Sequence, residues 1–153
     1  MNEELYQILK SNSDKNFSFE SFSKAWTARL QVIPDTKWQL LELLSQKYRL
    51  YLLSNSNEIH VKWIKNYIFE TKGAPLFNTI FEKQYFSHEL KMAKPNRDIY
   101  DFVLSDTNIK VNETMFIDDA INNLNYPSKI GITTIHYKNY NQLITELKKY
   151  LIL

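Results

Sequence analysis

The chain has 153 residues, 44% hydrophobic and 24% charged, enough for one modest domain with its own core. A net charge of +2, with Lys and Glu scattered and no basic block, excludes a track for a phosphate backbone, so no nucleic-acid partner is expected. The absence of cysteine excludes disulfides and thiolate metal sites.

The opening MNEELYQILK carries neither a basic n-region nor an apolar h-region. No apolar run approaches the roughly 18 residues of a membrane span, so neither a secretory signal nor a membrane partner is expected. Together with the missing cysteine this fits a reducing, cytoplasmic setting.

Residues 1–33 read as two helices and no strand. Leu5, Ile8 and Leu9 form a short stripe, SNSDKN breaks it, and Phe19, Phe22, Ala25, Trp26 and Leu30 recur at helical spacing behind Ser18 as N-cap. From Pro34 the pattern changes. Asp35 is placed to cap a helix carrying Trp38, Leu41 and Leu44, and the apolar run 50-LYLL-53 stops at 54-SNSN-57. A helix with Trp63, Ile64, Tyr67 and Ile68 on one face follows, then 79-TIFEKQYFS-87 with a strand near its aromatic end.

Lys94-Pro95 is expected to open a helix, because proline suits the first helical position, and Ile99, Phe102 and Val103 give that helix its stripe. After a loop at 105–113, 114-TMFI-117 reads as a buried strand. A helix or turn, the strand 132-ITTIHY-137 and a last helix with Leu143, Ile144, Leu147 and Leu151 facing inward complete the chain.

Short apolar strands alternating with helices indicate an α/β three-layer, Rossmann-like domain whose parallel sheet is covered on both faces. In such sheets reactive groups gather beyond the carboxyl ends of the strands. Ser54 and Asp118 both stand at such ends, so both are expected to point into one crevice. The pair Asp118-Asp119, directly after TMFI, suits a hard cation such as Mg²⁺, although aspartate also caps helices. Ser54 and Asn55 could bind an anion or simply cap the next helix. Lys94 could carry its ammonium into the crevice or lie solvated at the surface. His60 and His136 read as structural or surface residues, and His88 is at most a marginal lining residue, since their spacings match no metal or nucleophile pattern. The chain contains only two glycines, Gly73 and Gly131, which argues against a glycine-rich phosphate loop.

In this order, 50-LYLLSN-55, 90-LKMAKPNRDIY-100 and 115-MFIDDAINNL-124 resemble the second, third and fourth motifs of the haloacid dehalogenase-like (HAD) hydrolase superfamily. The stretch 87-SHELKMAKPNRDIYDFVL-104 is similar to the subgroup of small phosphatases with a helical cap. The resemblance runs from about Phe19 to Leu147. It implies residues 1–33 as a remnant of the cap and 34–153 as an incomplete core domain. It also implies a Mg²⁺-dependent phosphatase of small phosphate esters working through an aspartyl-phosphate. Asp118 and Asp119 would belong to the Mg²⁺ shell. Ser54 and the Asn55 amide would bind a phosphoryl oxygen, and Lys94 would bridge nucleophile and phosphate.

The family's first motif, an apolar strand followed by Asp-x-Asp, does not occur in the sequence, since neither Asp14 nor Asp35 follows such a strand or has a second aspartate two places on. The expectation is therefore a truncated, split or non-catalytic chain, inactive alone, whose metal binds weakly and whose central strand is missing. Either the strands ending at Ser54 and Asp118 pair directly, or a homodimer or a strand-donating partner fills the slot. The alternative to an enzyme is a binding or assembly module that keeps the fold without the chemistry. A receiver-like signalling domain ranks last, because it needs its acidic pair near the first strand.

Overall fold

The computed structural model describes residues 2–28, 30, 32–73 and 76–150. The chain divides into two compact units, Met1–Phe86 and Ser87–Leu153.

The first unit begins with α1 (Asn2–Ser11) and α2 (Phe19–Thr27). Tyr6, not the Leu5–Ile8–Leu9 stripe, is the buried residue of α1; Ile8 and Leu9 are 57% and 41% exposed. An aromatic cluster selects it. The Tyr6 ring meets Phe17 and Phe19 edge-on, at 5.8 and 5.3 Å between centroids, and its hydroxyl donates to the Phe17 carbonyl. Ser18 caps α2 as expected, its Oγ accepting from the Ser21 amide at 3.1 Å.

Helix α3 (Asp35–Ser45) starts one residue earlier than a capping Asp35 would allow. Pro34 holds the N-cap position, and Asp35 instead pairs with Lys72 at the far end of α4 (Glu58–Lys72). The helix after β1 (Tyr51–Ser54) is capped by Asn57, whose Oδ1 accepts from the His60 amide at 3.0 Å. It ends at Gly73, where φ is +78°, a left-handed conformation that favours glycine. A five-residue helix, α5 (Leu76–Ile80), is too short to show a period in sequence, yet it supplies Ile80 and Phe77 to the core. Strand β2 (Lys83–Phe86) pairs parallel with β1, Ser54 opposite Phe86. Trp38, Val61, Ile68, Phe77, Ile80, Phe81 and Phe86 form one buried apolar cluster beneath this pair.

The second unit contains α6 (Ser87–Leu90), α7 (Arg97–Thr107), β3 (Met115–Asp118), α8 (Asn125–Lys129), β4 (Thr133–His136) and α9 (Tyr140–Lys149), with short 3-10 turns at Val111–Glu113 and Ile121–Leu124. The Lys94–Pro95 peptide, which is cis, lies in a turn. Helix α7 therefore opens at Arg97 behind Asn96, and Pro95 is not its first residue. Ile99, Tyr100 and Val103 face inward, whereas Phe102, expected among them, is 36% exposed. Asn139 caps α9 through the Gln142 amide, and Leu147 is its most buried residue. Leu151 lies outside the described residues.

The ladders among the described residues are β1·β2 in the first unit and β3·β4 in the second, both parallel. The Thr133 and Tyr137 amides donate to the Thr114 and Asp118 carbonyls. By the alternation of a parallel ladder, Met115 and Ile117 turn their main-chain groups away from β4. The strands are also less covered than uniformly apolar sequences suggest. Every residue of β1 is half-buried, and Ile117 is 36% exposed. Burial on both faces is a property of interior strands, and each of these has a described neighbour on one side only.

Candidate active site

The second unit contains a buried ion pair. Lys94, in the turn before α7, places Nζ 2.7 Å from Asp118 Oδ2 at the end of β3, with side chains only 9% and 5% exposed. The solvated-surface alternative for Lys94 is thereby excluded. Two buried opposite charges persist only with further hydrogen bonds, and Asp118 has them. Its Oδ1 accepts from the Ala120 amide at 2.8 Å and from Asn123 Nδ2 at 2.9 Å. Burial pushes the Asp118 carboxyl up, but hydrogen bonds from Lys94, the Ala120 amide and Asn123 outweigh it and hold the group below its ordinary value.

Asp118 is not a helix cap. Ala120 occupies the N-cap of the 3-10 turn, and the bond from Asp118 to the amide two residues on is an Asx-turn. Asp119 is exposed, and its carbonyl lies 2.9 Å from His136 Nε2. His136, read from sequence as a structural or surface residue, touches the main chain of the acidic pair, and in the ladder it sits opposite Asp118. His60 contacts the Trp26 carbonyl through Nε2, at 3.3 Å, and His88 lies 3.9 Å from Glu89.

Ser54 and Asn55 belong to the first unit. Ser54 closes β1 half-buried, Asn55 is exposed, and the capping of α4 falls to Asn57, so capping is not the role of Ser54. Of the residues singled out from sequence, the structure brings together Lys94 and Asp118.

Two residues that sequence reasoning passed over complete the arrangement. Tyr100 is 3% exposed, and its hydroxyl donates to the Asn123 carbonyl at 2.8 Å. Burial, then the Asp118 charge, pushes its pKa to about 12. Asn123 donates to Asp118 itself. Neither residue stands out in sequence, because a tyrosine within a helix and an asparagine in a turn are common in any chain.

Among the described residues no group of three or more His, Cys, Asp or Glu stands ready for a metal. A carboxylate offers about four lone-pair sites. Three are taken at Asp118, leaving one on Oδ2. Mg²⁺ keeps several waters and commonly takes one or two carboxylates plus substrate phosphate oxygens. The donor set of Asp118 and the exposed Asp119 fits that mode and no fuller cage.

The family model for haloacid dehalogenase-like hydrolase matches residues 8–125. The chain is 30% identical over 125 residues to a D-ribitol-5-phosphate phosphatase of Bacteroides thetaiotaomicron, and it spans 60% of that relative's length. It superposes on a crystal structure of a HAD family enzyme from the same organism, an aspartate-to-alanine variant in complex with magnesium and inorganic phosphate. The TM-score is 0.87 and the identity 35%, covering 94% of this chain and 72% of that one. A HAD-like family hydrolase from Porphyromonas gingivalis gives a TM-score of 0.79 at 27% identity, covering 96% and 73%. With the family model covering most of the sequence and the fold matched along it, the chain belongs to the haloacid dehalogenase-like hydrolase family and has its Rossmann-like α/β fold.

Proposed function

We propose that these residues form part of a Mg²⁺-dependent phosphatase of small phosphate esters, and that its attacking aspartate comes from a segment outside the 153 residues. The observation that carries this reading is the buried Lys94–Asp118 pair at the carboxyl end of a parallel strand, where ligands of such sheets bind. The similarity to a phosphatase and to an enzyme in complex with magnesium and phosphate supports it.

In this reading Asp118, with Asp119 beside it, holds the cation, and Lys94 keeps Asp118 ionised. By the family motif, Ser54 and the Asn55 amide are proposed to hydrogen-bond a phosphoryl oxygen. When bound, Mg²⁺ supplies charge neutralisation at the phosphoryl oxygens. The supplied aspartate forms the new O–P bond as the ester O–P bond breaks. The leaving alkoxide takes its proton from the second aspartate of the Asp-x-Asp, and water then releases phosphate and regenerates the carboxylate. Residues 1–33 are proposed as a remnant of a helical cap and 34–153 as the core domain.

The test is phosphate release from D-ribitol 5-phosphate, with a generic aryl phosphate alongside, in the presence of Mg²⁺. The chain is assayed alone and with a peptide supplying an apolar strand plus Asp-x-Asp. Activity is expected only with the peptide, and Asp118→Ala should lower it by about a hundredfold or more. Release by the chain alone contradicts the placement of the nucleophile, and no release with the peptide counts against its being supplied in this way.

A second reading, a non-catalytic assembly module, is favoured by the main-chain groups of Met115 and Ile117 that face away from β4. It requires that the chain dimerise or capture a strand without turnover. A monomer by light scattering that also ignores the peptide removes it.

A further inference from the structure

Five residues of the second unit form a closed circuit, one link of which passes through the Asn123 main chain. The Tyr100 hydroxyl donates to the Asn123 carbonyl at 2.8 Å, and Asn123 Nδ2 donates to Asp118 Oδ1 at 2.9 Å. Asp118 Oδ2 accepts from Lys94 Nζ at 2.7 Å. The Lys94 ammonium lies 5.6 Å from the centroid of Phe116, and the Phe116 ring meets Tyr100 edge-on at 5.7 Å. We propose that Asn123, held by Tyr100, is a positioning residue that fixes the Asp118 carboxylate so that it presents one oxygen, Oδ2, to Lys94 and to a single external ligand.

The chemistry of the groups dictates this. Ionised carboxylate only accepts, so the Asn123 side chain must offer its NH₂ to it. The Asn123 and Ala120 donors together use both lone pairs of Oδ1, which blocks two-oxygen chelation and sets the plane of the carboxylate. Tyr100 acts at one remove. Its buried hydroxyl needs an acceptor, and by taking the Asn123 carbonyl it ties the 3-10 turn to α7 and fixes the direction from which the amide approaches. The inference deepens the phosphatase reading and rests on it for the identity of the external ligand, but the circuit can be tested without turnover.

The experiment is ¹⁵N NMR of lysine ammonium groups in the whole chain, near neutral pH and in the cold, with amide spectra reporting the fold. The unaltered chain should show one slowly exchanging ammonium that vanishes in Lys94→Met. Asn123→Ala should speed its exchange about tenfold. Asn123→Asp, which keeps the shape but loses the donor, should do at least as much, whereas a purely structural role would leave it mild. Tyr100→Phe should give a smaller rise of about threefold with the amide spectrum preserved. Absence of a protected ammonium in the unaltered chain, or exchange unchanged in Asn123→Asp, overturns the proposal. A parallel Mg²⁺ titration by calorimetry, with the Asp-x-Asp peptide present, separates the two ideas. Affinity lost about tenfold in Asn123→Ala supports both. The expected ammonium response without Mg²⁺ binding upholds the positioning role and overturns the phosphatase reading.

Discussion

The two units build the same local pattern, a short apolar strand ending in a polar residue, and stabilise it by opposite means. Around β1 the partners are almost wholly apolar, with Trp38, Phe77, Phe81 and Phe86 packed in one cluster. Around the end of β3 the interior contains a charged pair whose carboxylate also accepts from the Ala120 amide and from Asn123, which in turn is bonded by Tyr100. An apolar cluster tolerates repacking but suffers from voids; a polar circuit depends on each of its members. The second arrangement carries no evident advantage in stability, because a buried ion pair at best roughly offsets its own desolvation. Its presence at a strand end therefore points to chemistry.

The contrast predicts mutational responses in order of size. Trp38→Ala should cost the most, about 4 kcal/mol in chemical denaturation, through loss of burial and a residual cavity. Lys94→Met should cost about 3 kcal/mol by stranding a buried carboxylate, and adding Asp118→Leu should recover most of it, a rescue no second substitution near Trp38 should match. If the double variant remains as unstable as the single one, the second unit is held by packing like the first and the comparison fails.

The pH dependence sharpens the same point. The folded-state pKa of Asp118 is depressed, so its contribution is present above the unfolded value of about 4 and is lost as pH falls below it. Acid titration of stability in the unaltered chain should show this loss, and Asp118→Asn should flatten it. Smaller still, Asn57→Ala should cost about 1 kcal/mol as a lost cap. Disrupting the exposed Arg49–Glu82 pair should leave the denaturation midpoint unchanged within error, despite its short 2.6 Å contact.

Much of the architecture was legible because period and punctuation agree. LYLL before SNSN, TMFI before the acidic pair, and the Ser18 cap were each found close to where the sequence placed them. What escaped depends on tertiary context. Which face of α1 is buried is decided by Phe17 and Phe19 gathering around Tyr6, and periodicity alone favoured the more numerous aliphatic residues. Pro95 looked like a helix opener, but it lies in the turn that carries Lys94 to Asp118. The meeting of Lys94 and Asp118 followed from strand-end logic and the family motifs. Asn123 and Tyr100 did not, since nothing in the composition of a turn or a helical stripe says which distant carboxylate it will serve.

The burial of Trp38 has a spectroscopic consequence. All three tryptophans, Trp26, Trp38 and Trp63, lie before residue 87, so the second unit is silent in tryptophan emission. Indole fluorescence follows the melting of the apolar half alone, while the Lys94 ammonium is a private signal from the polar half. Recorded on one sample, the two probes report whether the halves unfold together or in sequence.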